Sequence, residues 1–145
     1  MDDISKLLIR DHRRCDEMFV AMEQALYHSK WSHAEKAAYD LAHAMERHFN
    51  LEEERLFPEL EQVSSQASGP VSVMMMEHAQ MRHLLKTLQS SMQQQSKETL
   101  LGITDTLLVT MQQHNMKEEN ILYPLADRFV ADLGEEIARG IAEPE

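Results

Sequence analysis

The sequence states one pattern twice. His48, Glu52, Glu53, Phe57 and Pro58 recur as His114, Glu118, Glu119, Tyr123 and Pro124, a shift of 66 residues (48 to 114) with every internal spacing kept. The same shift sets His12 on His78, Asp11 on Glu77, Leu41 on Leu107, Met45 on Met111 and Leu56 on Leu122 without a gap. Each half therefore carries one lone His and one His-x-x-x-Glu. Residues four apart share a helix face, and two such faces brought together make a metal site.

A chain of 145 residues, 43% hydrophobic, has material for one domain with a sizeable core and too little for two ordinary ones. Residues 1–145 are read as a single domain of two helical hairpins, about 3–62 and 70–128, with a C-terminal tail over 129–145. With only 4 Gly and 4 Pro and no run alternating apolar and polar residues, the fold class reads as all-α. A formal charge of -11 opposes nucleic acid and anionic membrane as partners, since both demand basic patches. The acidic start, Met1-Asp2-Asp3-Ile4-Ser5-Lys6, has no apolar stretch of signal-peptide or anchor length, which makes a cytoplasmic location the expectation. The single cysteine, Cys15, allows no disulfide within the chain and reads as a small buried apolar residue.

Helical spacing organises the rest. Ile4, Leu8, His12, Cys15, Phe19, Met22 and Leu26 form one stripe, so His12 points inward. After a turn at residues 28–31, Ser32 stands three before Glu35, a capping-box signature for a second helix running to about Leu60. That helix carries Ala38, Leu41, Met45, His48 and Glu52 on one stripe, and Pro58 is expected to kink or end it. Residues 63–69 read as a loop, and Pro70 suits the first turn of a third helix with the seam Val71, Met74, His78, Met81, Leu85, Leu88 and Met92. A fourth helix carries Leu100, Leu107, Met111, His114, Glu118, Ile121 and Leu125, with Pro124 placed as Pro58 is. A short helix is expected near residues 135–138, followed by a polar end that frays. Short connections give an up-down-up-down four-helix bundle with an internal pseudo-two-fold axis relating its two hairpins.

Six polar groups thus lie on apolar stripes: His12, His48, Glu52, His78, His114 and Glu118. Burying each without a partner costs about 1–3 kcal/mol, against a total stability of about 5–15 kcal/mol, so they must satisfy one another or bind something. Four imidazoles and two carboxylates suit first-row cations, and six ligands divide evenly between two metals with the carboxylates as bridges. With no thiolate in the set, iron is the expected metal, with manganese or zinc as substitutes. Glu53 and Glu119 read as solvated residues or outer partners of the ligands, and His28, His33 and His43 as surface groups. Eleven methionines read as adaptable packing, with Met74 and Met81 flanking His78 where they can shape a small-ligand pocket.

In Asp11-His12, His48-x-x-x-Glu52 with Phe57-Pro58, Glu77-His78, and His114-x-x-x-Glu118 with Tyr123-Pro124, the chain resembles the hemerythrin-like, or HHE cation-binding, domains. The resemblance implies a four-helix bundle, the fold for which myohemerythrin is a standard example. It also implies two iron ions, one bound by His12 and His48 and the other by His78 and His114. Glu52 and Glu118 would bridge them, with an oxo or hydroxo group completing the bridge. In oxygen-carrying hemerythrins a second His follows the first on the third helix by one turn; here that position is Arg82, and His83 lies about 100° further round. The second carboxylate there is an Asp five after its His, whereas Glu118 is four after His114. The chain is therefore similar to four-histidine, two-glutamate members.

The function expected is that of a non-heme di-iron protein that binds, senses or detoxifies oxygen, nitric oxide or peroxide. The alternatives are an iron-centre repair or peroxide-reducing enzyme, and a structural bundle holding zinc or no metal. The sequence specifies no protein partner, and leaves monomer and homodimer open.

Overall fold

In the computed structural model, which describes residues 2–142, α1 (Ile4–Tyr27) and α2 (Trp31–Leu51) form the first hairpin. A π-helical turn, Glu52–Leu56, carries α2 directly into α3 (Phe57–Val63). The second hairpin repeats the plan: α4 (Ser68–Ser91), α5 (Lys97–Lys117), a π turn at Glu118–Leu122 and α6 (Tyr123–Phe129). A last helix, α7 (Gly134–Ala142), follows a 3-10 turn at Ala131–Leu133. The fraying expected of the polar end falls on residues 143–145, outside the described residues.

The four rods run alternately up and down. Lys97, at the start of α5, donates to the carbonyl of Tyr27 at the end of α1, while Ser5 at the start of α1 donates to Asp127 at the end of α6. The stripes read from the sequence face inward, and they build two apolar clusters at opposite ends of the bundle. One gathers Phe19, Met22, Leu41, Met45, Leu88 and Leu107 with their neighbours. The other gathers Ile4, Leu8, Leu56, Phe57, Leu122 and Tyr123. Between them lies a layer of buried polar residues: Asp11, His12, His48, Glu52, His78, His114 and Glu118. α7 closes one side, packing Ile137 inward, and at Gly140 an added Cβ would meet Leu51 Cδ1 at 2.5 Å, so α7 lies close against the end of α2. No helix among the described residues is long and apolar enough to cross a membrane.

Four local expectations change. Ser32 does not cap α2, which starts at Trp31 with Lys30 as its N-cap and no side-chain cap bond. The reason is the tight end of α1: Ser29 takes a left-handed φ of 54° and Lys30 N–H returns to Ala25 O, so the next helix begins as half-buried Trp31 docks on the core. Pro58 and Pro124 neither kink nor end their rods in isolation. Each follows a π turn whose i→i+5 bond, Phe57 N–H to Glu52 O and Tyr123 N–H to Glu118 O, widens the helix before the proline. Residues 63–69 are only partly loop, since Val63 ends α3 and Ser68 and Gly69 open α4. Finally, Ile121 is 48% exposed and Leu122 is buried in its place.

Candidate metal centre

Four rods meet at the polar layer, and each contributes through the local chemistry of its sequence. The four-residue spacing holds His48 beside Glu52, with Nε2 3.3 Å from Oε2, and His114 beside Glu118, with Nε2 3.2 Å from Oε1. The lone histidines complete the layer from α1 and α4: His12 Nε2 is 3.0 Å from Glu118 Oε1, and His78 Nε2 is 3.1 Å from Glu52 Oε1. The six residues singled out in the sequence thus come together in two groups, His12–His48–Glu52–Glu118 and Glu52–His78–His114–Glu118. In each, one ligand atom per residue lies within 4.8 Å of the others, and both groups are buried throughout.

Behind every imidazole stands a carboxylate. Nδ1–H of His12 donates to Glu119 at 2.7 Å, His48 to Asp11 at 2.7 Å, His78 to Glu53 at 2.7 Å and His114 to Glu77 at 2.9 Å. With the Nδ1 proton so engaged, Nε2 presents a lone pair to the centre, the arrangement that orients histidines on metals. Each carboxylate is in turn paired with a cation: Glu119 with Arg13, Asp11 with Arg14, Glu53 with Arg82, Glu77 with Lys117. The carboxylates obey the 66-residue repeat, Asp11 matching Glu77 and Glu53 matching Glu119; the cations do not. Glu53 and Glu119 are therefore outer partners of His78 and His12. Arg82 clamps Glu53 through two nitrogens, at 2.8 and 3.1 Å, and lies over the Phe49 ring. That ring stacks on His78 with centroids 4.1 Å apart.

Sequence reasoning missed Tyr123 and the role of the acids at 11 and 77. The signal was present in the repeat, where Asp11 matches Glu77 and Phe57 matches Tyr123. The Tyr123 hydroxyl is fully buried and donates to Glu52 Oε2 at 2.6 Å, with Glu118 Oε1 at 2.9 Å. His28, His33, His43 and His83 are exposed and lie outside both groups.

The electrostatics call for positive charge at the centre. Burial pulls the His48 imidazole down, yet Glu52 and Asp11 outweigh it and hold the group well above its ordinary value. His12 and His114 are likewise raised against burial by their carboxylate neighbours. Burial raises Glu52, and His48 and His78 more than reverse it, leaving the carboxyl well below its ordinary range. Burial together with Glu118 and Glu52 pushes the Tyr123 hydroxyl well up. Four buried atoms at the centre, Glu52 Oε1, Glu118 Oε2, His78 Nε2 and His114 Nε2, have no hydrogen-bond partner. Buried polar atoms without a partner are costly in such surroundings, and cations between these atoms, with the imidazoles neutral, would satisfy all four. The donor set therefore fits bound metal.

Beside His12 and His48 is a cavity of about 20 Å³, room for one water-sized molecule, lined also by Cys15, Met45, Phe49, Met81, Met111 and Asn115. Six of its eight lining residues form repeat-related pairs, Cys15 with Met81, Met45 with Met111 and Phe49 with Asn115, so it lies near the pseudo-two-fold axis on the side of His12 and His48. Met74 belongs instead to the apolar cluster on the far side of the layer. Burial pushes the Cys15 thiol up to about 11, so it stays protonated at neutral pH.

The family model described as the hemerythrin HHE cation binding domain matches residues 3–126. The chain belongs to this family. No curated protein and no solved structure matches it. The span matched to the hemerythrin HHE domain covers the rods of both hairpins and ends within α6, before α7.

Proposed function

We propose that the protein is a non-heme di-iron protein that binds a small ligand, oxygen, nitric oxide or peroxide, and so senses or detoxifies it. The observation that carries this reading is the pair of buried ligand groups, each of two histidines and two glutamates, sharing Glu52 and Glu118. Two shared carboxylates screen two neighbouring cations from each other, and a nitrogen and oxygen set without thiolate suits iron, with manganese or zinc as substitutes. Once bound, the metals would supply redox and Lewis-acid chemistry to the ligand.

The chain's own residues support that role in three ways. The outer carboxylates fix each imidazole with Nε2 facing the centre. The apolar clusters on either side keep bulk water from the layer. The small cavity beside His12 and His48 admits a molecule of a few atoms and nothing larger. Four sulfur side chains line it, and they would be oxidised under sustained peroxide turnover, which favours binding or sensing over a peroxide-reducing enzyme. A structural bundle without metal would leave four buried polar atoms at the centre without a well-formed hydrogen bond. The single free, buried cysteine suits a reducing cytoplasmic setting.

The test is absorption spectroscopy on reduced, iron-quantified protein with oxygen, nitric oxide and peroxide added in turn. At least one should give a ligand-specific spectral change, and a reversible one favours binding over turnover. Iron-loaded protein indifferent to all three would contradict the proposal.

A further inference from the structure

The 66-residue repeat sets Phe57 against Tyr123, and this one difference falls inside the ligand layer. Donors held about 2.1 Å from an ion in an octahedral or square-pyramidal site stand about 3.0 Å from their neighbours. The edges His12 Nε2–Glu118 Oε1 and His48 Nε2–Glu52 Oε2, 3.0 and 3.3 Å, have that spacing. The Tyr123 oxygen has it to all four of these atoms: 3.0 Å to His12 Nε2, 3.2 Å to His48 Nε2, 2.6 Å to Glu52 Oε2 and 2.9 Å to Glu118 Oε1. A hydroxyl carries one proton, so with neutral imidazoles protonated at Nδ1, the form that ligates metal, hydrogen bonding accounts for one of those contacts; doubly protonated imidazoles would account for two more and still leave the one to Glu118. An ion beneath the five donors accounts for all of them.

We propose that Tyr123 is a fifth protein ligand, through its phenolate oxygen, to the ion held by His12, His48, Glu52 and Glu118. The inference rests on the metal-binding reading above. Ligation breaks the phenol O–H bond, forms an oxygen–metal bond and releases the proton to solvent, as binding to any protonated ligand does. The local charge logic that favours the neutral phenol in the metal-free layer is inverted by an adjacent cation. The second ion receives no such ligand, because Phe57 stands at the matching position, its ring 6.0 Å from that of His78. The two ions are therefore chemically unlike in a site whose other ligands are related by the repeat. The π turn gives the placement its physical cause. Tyr123 is five residues after Glu118, about 140° away on an α-helix, and the i→i+5 turn brings both to the centre.

Iron-loaded ferric protein tests this through phenolate-to-iron charge-transfer absorption and tyrosinate ring modes in resonance Raman, read beside iron content. Native protein should show both signals, and Tyr123→Phe should lose them while keeping at least one iron per chain. The double variant Tyr27→Phe/Tyr39→Phe, which removes only exposed tyrosines, should keep both signals and guards against a Tyr123 variant that fails to fold. Iron-loaded native protein without a phenolate signal, or a signal lost with Tyr27 and Tyr39, would overturn the proposal while leaving the metal site standing. A chain that takes up no iron would overturn the metal reading itself.

Discussion

Each imidazole of the centre is held from behind by a carboxylate and each carboxylate by a cation, so a ligand's position depends on two further side chains. This argues for different penalties at neighbouring positions. Glu52 serves both ligand groups and His12 only one. Glu52→Ala should therefore deplete both metals, whereas His12→Ala should retain about one, as metal analysis of the two variants will show; equal losses would deny the sharing. Glu53 touches no metal position but fixes His78. Glu53→Gln should weaken metal affinity by about 10–100-fold with the fold intact, measured by chelator competition, and unchanged affinity would make the Glu53 contact incidental. The six candidate ligands in the layer were legible because each breaks an apolar stripe. The outer acids and Tyr123 were less so, since an acid beside a ligand reads equally well as solvated surface and Tyr123 lies off the α-helical stripe that the π turn displaces.

At the scale of the element, the two π turns decide what a helical period cannot. The inward stripes of α1, α2 and α4 follow the ordinary period and were readable throughout. Past Glu118 the period lengthens, Leu122 and Tyr123 turn inward, and Ile121, which the α-helical stripe put in the core, faces out. Proline at 124 marked a disturbance without saying that it would be a wider turn rather than a kink or an end. Denaturant unfolding separates the two registers. Leu122→Ala should cost about 2–5 kcal/mol and Ile121→Ala no more than about 0.5 kcal/mol; the reverse order would mean that the rod stays α-helical there.

Across the whole molecule, the repeat proved to be a copied hairpin, with a π turn and a lone histidine in each half and a small cavity between the halves. Its buried charges also set a pH signature. The metal-free His12, His48 and His114 are raised above 6.5, so their contribution to stability is complete below that pH and is lost as pH rises through the higher folded values. The lowered carboxyls of Asp11, Glu52, Glu53, Glu77 and Glu119 contribute above their ordinary values of 3.8 and 4.5, and that contribution is lost as pH falls through the depressed ones. Metal-free protein should thus be most stable in the mildly acidic range between. Because metal must displace the imidazole protons, the gain in Tm on iron loading should grow from pH 6 to pH 8, and a shrinking gain would contradict the ligand assignment. The central claim, two buried sites sharing two glutamates, is tested most directly by metal and protein quantification of chain purified without chelator. The arrangement predicts close to two irons per chain; a value below one, with no other metal making up the difference, would contradict it.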